Sequence, residues 1–210
     1  MFISQKIRRT ASAITLIVSV AAAGMSEPLI AADDHPAQTL IESSITEMLG
    51  VLENDLDKIK ADPEYLDSRV NEIIVPNLDF NTMTKLAVGK FWRKASAGQK
   101  TELVTEFRTL LLNTYTGALT EYSGETMRFE PFRAEKRDDR AVVRSVFSPS
   151  TGSDVPVTYK LRDKKGWSIY DIEVNSISLV TSYRTAFTNE IGKGGIEGLL
   201  NTLKERNNKS

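Results

Sequence analysis

The hydrophobic period changes twice along this chain, and that switch constrains the fold more than any single motif. Apolar residues recur every three or four positions from residue 36 to residue 122, alternate from 127 to 174, and return to helical spacing after 176. In the middle stretch Met127 and Phe129 alternate with Arg128 and Glu130. Val155, Val157, Tyr159 and Leu161 alternate with Pro156, Thr158, Lys160 and Arg162. Together with residues 141–147 and 167–174 these make four strands joined by short turns, the pattern of an antiparallel meander. Clean alternation gives a sheet one covered face and one wet face. Helices at both ends of such a meander imply an α+β fold with the helices packed on one face.

The punctuation of the helices is local and explicit. The first is expected over 36–60, with Leu40, Ile41, Ile45, Met48, Leu49, Leu52, Leu56 and Ile59 on one face. Asp62-Pro63 supplies an N-cap followed by proline at the first helical position, and Pro76 stops the second helix. A short third helix starts near Asp79. Ser96 caps the fourth and longest, with Gln99 placed to complete a capping box, and Gly124 ends it. A further helix over 176–190 is broken by Gly192, Gly194 and Gly195, a last one covers 196–204, and 205–210 should fray. Pro156 marks its strand as an edge strand or a bulged one.

Residues 1–32 read as a cleaved signal peptide: Lys6, Arg8 and Arg9, an apolar run from Ala11 to Gly24, then Ala-rich cleavage sites ending at Ala32. The run is shorter than the roughly 20 apolar residues of a membrane span, so residues 33–210 are expected to be one soluble, exported domain. Without Lys6, Arg8, Arg9 and Glu27, the 27 basic and 28 acidic residues become 24 and 27, a net charge of −3. That balance argues against a nucleic-acid partner. The absence of cysteine excludes disulfides and thiolate chemistry.

Few residues suggest catalysis. His35, the only histidine, lies beside the expected cleavage point and reads as a disordered terminal residue. Asp138-Asp139 is turn chemistry rather than a metal site. Gly192-Lys193-Gly194-Gly195 lacks the preceding strand and the following Lys-Ser/Thr pair of a phosphate loop. On an ideal strand Tyr170, Ile172 and Val174 share one face while Trp167, Ile169, Asp171 and Glu173 share the other, so Asp171 would meet solvent or a salt bridge rather than act as a buried general base. The row Phe107, Leu111, Tyr115, Leu119 and Tyr122, set opposite Met127, Phe129, Tyr159, Tyr170 and Ile172, reads first as core, with the lining of a cavity as the alternative. Periodicity is the same for a filled interior and a hollow one.

Several segments, taken in order, carry a resemblance. They are Asp62-Pro63-Glu64-Tyr65-Leu66, then Val88-Gly89-Lys90-Phe91-Trp92-Arg93-Lys94-Ala95-Ser96 with Gln99, and Phe107-Arg108 through Tyr122-Ser123-Gly124. Trp167-Ser168-Ile169-Tyr170-Asp171-Ile172 and Lys193-Gly194-Gly195-Ile196-Glu197-Gly198-Leu199 complete the set. The chain resembles the MlaC, or toluene-tolerance, family of periplasmic phospholipid-binding proteins. It departs from that pattern at Ala97-Gly98, where a proline would be expected.

The resemblance implies a twisted four-stranded antiparallel sheet covered by N- and C-terminal helices that enclose an apolar cavity. It implies a non-enzymatic carrier with no cofactor, its cargo a glycerophospholipid. The expected partners are the MCE-domain ring of an inner-membrane ABC transporter and an outer-membrane lipoprotein–porin complex, so that lipid moves through the periplasm and outer-membrane asymmetry is kept. A hopanoid or another apolar ligand is the alternative cargo. The expected lining is Phe80, Leu86, Phe107, Leu111, Tyr115, Met127, Phe129, Val143, Tyr159, Tyr170, Ile172, Val174, Ile177 and Val180. Lys90, Arg93 and Lys94 around Phe91-Trp92 form a basic-aromatic patch that either meets a partner or is a solvated segment with Trp92 anchored in the core.

Overall fold

A computed structural model describes residues 35–209; the expected signal peptide lies outside the described residues. The chain runs α1 (Pro36–Asn54), α2 (Leu56–Ala61), α3 (Pro63–Ile73), α4 (Phe80–Val88) and α5 (Ala97–Leu119). The strands follow as β1 (Thr126–Phe129), β2 (Arg140–Ser148), β3 (Val155–Asp163), β4 (Trp167–Val174) and β5 (Ile177–Ser178), and α6 (Leu179–Asn207) closes the chain. Short 3-10 turns occupy Val75–Asn77 and Gly89–Lys94.

The helix signals act where the sequence places them. Asp62 Oδ1 accepts the Glu64 N–H at 3.1 Å, and Asp79 Oδ1 accepts that of Thr82 at 2.9 Å. Ser96 Oγ accepts the Gln99 N–H at 3.2 Å while Gln99 Oε1 accepts the Ser96 N–H at 2.9 Å, a complete capping box. The expected first helix is interrupted, however, at Asp55, whose backbone leaves helical geometry and whose carboxylate accepts the Tyr65 hydroxyl at 2.6 Å. The break lets Ile59 join Leu66 and Val70 of α3 in the same cluster as Met48 and Leu52 of α1. Residues 179–207 form one helix in outline, with non-helical backbone at Gly194 and Gly195. This kink falls within the glycine-rich break read from the sequence.

The sheet is an antiparallel meander in the order β1-β2-β3-β4-β5. Four strands match the expected ones; the fifth, two residues long, replaces the expected helical start at 176. Asn175 and Ser176, both at positive φ, form the two-residue connection between β4 and β5, the signature of a type I′ hairpin. Pro156 is neither on an edge strand nor at the bulge. Its carbonyl accepts the Asn175 N–H at 3.0 Å, and β3–β4 pairing begins only at Val157↔Val174. The missing N–H therefore faces the end of the ladder, where no strand partner is needed.

The register of β3 and β4 shifts between Lys160 and Leu161: Lys160 opposes Asp171, whereas Leu161 opposes Ile169. Tyr170 is the extra residue of this bulge. The bulge overturns the face assignment drawn from simple alternation. Ile169, paired with Leu161, and Ile172, paired with Tyr159, share the inner face, and Tyr170 does not. Its ring lies on the other face, with the Arg140 guanidinium 5.1 Å from its centroid.

Three apolar clusters hold these elements together. In the first, Ala37 and Ile41 of α1 lie on Ala141, Val143, Tyr159, Leu161 and Ile169 of the sheet. In the second, α4, α5 and α6 bury Met83, Leu103, Phe107, Val180, Phe187 and Leu200. The third joins α1, α2 and α3, with Leu119 and Tyr122 packed on it. The helix laid across the inner face of the sheet is therefore α1, and not α5, the longest helix of the first half.

Candidate functional site

Cross-strand pairing sorts the inner face into rungs. Ala141, Leu161 and Ile169 form one, and Val143, Tyr159 and Ile172 the next; both lie in the cluster beneath α1. The third rung carries Phe129, Ser145, Val157, Val174 and Ile177, and the fourth Met127, Phe147 and Val155. Burial falls away across these last two rungs. Val174 is 46% exposed and Ile177 is 66% exposed, while Met127, Phe129, Phe147, Val155 and Val157 are half-buried. One end of the sheet thus offers an open apolar surface next to the point where α6 begins.

An aromatic series runs between α5 and α6. Phe107 meets Tyr183 edge-on at 4.9 Å and Phe187 at 5.0 Å. Tyr183, one turn into α6, in turn contacts Tyr115 of α5. Burial and then the neighbouring Tyr183 push the Tyr115 hydroxyl up to about 12, although the residue as a whole is 48% exposed. It stays neutral at physiological pH.

The structure distributes the fourteen expected lining residues unequally. Phe80, Leu86, Phe107, Leu111 and Val180 belong to the α4–α5–α6 cluster. Phe129, Val143, Tyr159 and Ile172 belong to the sheet–α1 cluster. Among the described residues Tyr115, Val174 and Ile177 are the exposed large apolar ones, and Met127, on β1, is half-buried. Tyr170 turns away because of the bulge. Phe147, Val155 and Val157 share the open rungs but were missed, although residue alternation on β2 and β3 was signal enough to find them.

The polar groups around the site organise the frame. Asp171 is buried, unlike its expected exposure, and it forms the expected salt bridge. It accepts the Ser178 hydroxyl at 2.8 Å and the Val180 N–H at 3.2 Å, with Lys160 Nζ at 3.5 Å. The Ser178 and Val180 contacts tie the sheet to the start of α6, and the Lys160 contact joins β3 to β4. Asp79 carries a similar load at the start of α4. Burial alone would raise its pKa, but hydrogen bonds from Thr82 and Lys164 outweigh it and hold the carboxyl below its usual value. His35 is ordered, contrary to its reading as a frayed terminus. Its Nδ1 accepts the Ala37 N–H at 3.2 Å and its ring stacks on Phe132 at 4.0 Å.

A concavity lies on the helical side. Lys85, Leu86, Gly89, Lys90, Trp92, Arg93 and Arg184 line a cleft of about 310 Å³ between α4, the following 3-10 turn and α6. Trp92 is at once packed on the α4–α5–α6 core and a wall of this cleft. Among the described residues there is no group of three or more His, Cys, Asp or Glu side chains placed to hold a metal ion, and no helix long and apolar enough to cross a membrane.

Residues 42–205 match the family described as MlaC protein. The chain is 26% identical over 170 residues to the toluene tolerance protein Ttg2D of Pseudomonas putida, covering 80% of this chain and 79% of that one. It is 22% identical over 171 residues to the intermembrane phospholipid transport system binding protein MlaC of Haemophilus influenzae, covering 79% of each. Among solved structures it resembles a phospholipid-binding protein of Ralstonia solanacearum in complex with a phospholipid. The TM-score is 0.76 at 32% identity, over 83% of this chain and 98% of the other.

Proposed function

The chain belongs to the MlaC family, and on that premise we propose that it is a phospholipid-binding protein of the Mla/Ttg2 type, working by binding and release rather than by catalysis. The observation that carries this reading is the open apolar end of the sheet. Val174 and Ile177, paired across the β4–β5 hairpin, together with Tyr115 are large apolar residues left exposed beside a well-packed protein. A monomer gains nothing from leaving them in water. Acyl chains covering them and reaching between the sheet–α1 cluster and the α4–α5–α6 cluster would remove that cost.

Magnitudes support chain burial as the source of affinity. Each buried methylene is worth about 0.8 kcal/mol, so a chain of about 16 carbons gains on the order of 12 kcal/mol before ordering costs. An exposed ion pair to a headgroup phosphate adds at most about 1 kcal/mol. Tight binding therefore does not require a dedicated headgroup site.

In this reading residues 1–32 are a signal peptide, residues 33–210 form the mature domain, and the protein works in the periplasm. It carries glycerophospholipid between an outer-membrane lipoprotein–porin complex and the MCE ring of an inner-membrane transporter. The test is native mass spectrometry of the exported chain, purified without detergent, followed by analysis of what denaturation releases. A phospholipid mass supports the proposal. A ligand-free protein contradicts it, and a released hopanoid replaces the cargo.

A further inference from the structure

The cleft between α4 and α6 has a composition that lipid-chain binding does not use. Lys85, Lys90, Arg93 and Arg184 surround it, all exposed, and Leu86 and Trp92 supply apolar wall. None of the four cations has a carboxylate within ion-pair distance among the described residues. Arg184 is also held in place: its Nε donates to the Leu86 carbonyl at 2.8 Å. The rest of its guanidinium fork is left to face an anion. An anchored arginine beside lysines and a half-buried tryptophan suits a phosphate attached to an apolar body.

We infer that this cleft is a docking site for the phosphate headgroup of an anionic phospholipid presented at a bilayer surface, separate from the site that holds the cargo's acyl chains. Charge complementarity argues for that occupant. Without residues 1–32 the chain carries 24 basic and 27 acidic residues, a formal net charge of −3, so an anionic bilayer repels the molecule as a whole and attracts only a local excess of cations. A tryptophan at the rim is suited to the headgroup layer, where its apolar ring and polar N–H are both satisfied. The volume of about 310 Å³ is at the small end of ligand sites. It suits one headgroup, not two acyl chains. The consequence is orientational: docking through this cleft would set α4 and α6 against the membrane.

The test is flotation of the exported chain with vesicles of phosphatidylcholine, alone or mixed with phosphatidylglycerol. Binding is expected only to the mixed vesicles, and it should weaken as salt rises because screening shortens the reach of the charges. Lys90→Gln and Arg93→Gln should each lower the partition coefficient about fivefold. Lys136→Gln, on the remote β1–β2 connection, should leave it unchanged. No flotation with mixed vesicles overturns the inference, as does equal loss in the Lys136 variant. Retention on immobilised polyglutamate without flotation overturns it in favour of an acidic polypeptide. Lipid co-purifying with the same samples is read separately. Lipid present without docking sinks this inference alone, and docking without co-purified lipid sinks the carrier reading alone.

Discussion

The carboxylate of Asp171 accepts the backbone N–H of Val180 at 3.2 Å, so a buried acid on β4 fixes where α6 begins. It sits where the positive end of the helix dipole favours a negative charge, and the same carboxylate accepts the Ser178 hydroxyl that caps the helix. Sheet and C-terminal helix are thereby joined beside the open apolar rungs.

Removing that acid should be costly. Asp171→Ala leaves the Val180 N–H without its side-chain acceptor and weakens the setting of Lys160, for a loss of about 2–3 kcal/mol. Asp171→Asn keeps an acceptor and should lose less. Urea unfolding midpoints compare the two, and equal losses would mean that charge, not hydrogen bonding, supplies the stabilisation.

His35 should make stability fall on the acid side. Burial lowers its pKa from the ordinary 6.5, and its unprotonated Nδ1 is the acceptor that caps α1. A folded-state pKa below the unfolded one contributes stability that is fully present above pH 6.5 and lost as pH falls through the folded value. Protonation would also put a positive charge at a helix N-terminus. Melting temperatures measured from about pH 8 to about pH 5 should drop more steeply in the parent than in His35→Asn, which caps without titrating in that range. Parallel curves would show that the cap is energetically silent.

Charge placed on the open rungs should separate binding from folding. Tyr115→Glu and Ile177→Glu alter exposed positions, so unfolding free energies should shift by only about 0.5 kcal/mol. Co-purified lipid should fall steeply, since a carboxylate would have to be buried under acyl chains. Val143→Glu, by contrast, buries a charge beneath α1 and should prevent folding. A folded Ile177→Glu variant carrying the full complement of lipid would remove that residue from the lining.

Gly89 should resist substitution for a backbone reason. Its φ of 61° and ψ of −132° close α4 in a region open almost only to glycine. A Cβ there would meet Arg184 at 3.8 Å, an ordinary contact, so crowding is not the obstacle. Gly89→Ala should cost about 1–3 kcal/mol through backbone strain. A thermal melt indistinguishable from the parent would show that the turn can relax.

The parts of this molecule legible in the sequence are those decided within a few residues. The caps at Asp62, Asp79 and Ser96 each rest on a side chain and a backbone N–H close in the chain, the kink at Gly194-Gly195 rests on the glycines themselves, and the four longer strands show in the alternation of their own residues. A period of two marks a strand before its partners are known, so the meander could be read directly even though the β4 bulge later changes which face Tyr170 takes. The exposed apolar residues Tyr115, Val174 and Ile177 stood among the fourteen lining residues that the resemblance implied, and their periodicity did not set them apart from core.

What the tertiary structure alone decided concerns partners distant in sequence. The bulge at Tyr170 depends on how β4 meets β3, and one extra residue sends that ring to the Arg140 face while Ile172 keeps the inner one. Asp171 changes from an expected surface acid to a buried anchor because Ser178 and Val180 fold back on it. His35 is ordered by Phe132 and Trp167, about a hundred residues and more along the chain. The sequence by itself determined which segments become helix or strand, because those free energies are local sums over neighbouring residues. Which faces close and which stay open was left to the packing, because burial depends on contacts between segments that local pattern does not specify.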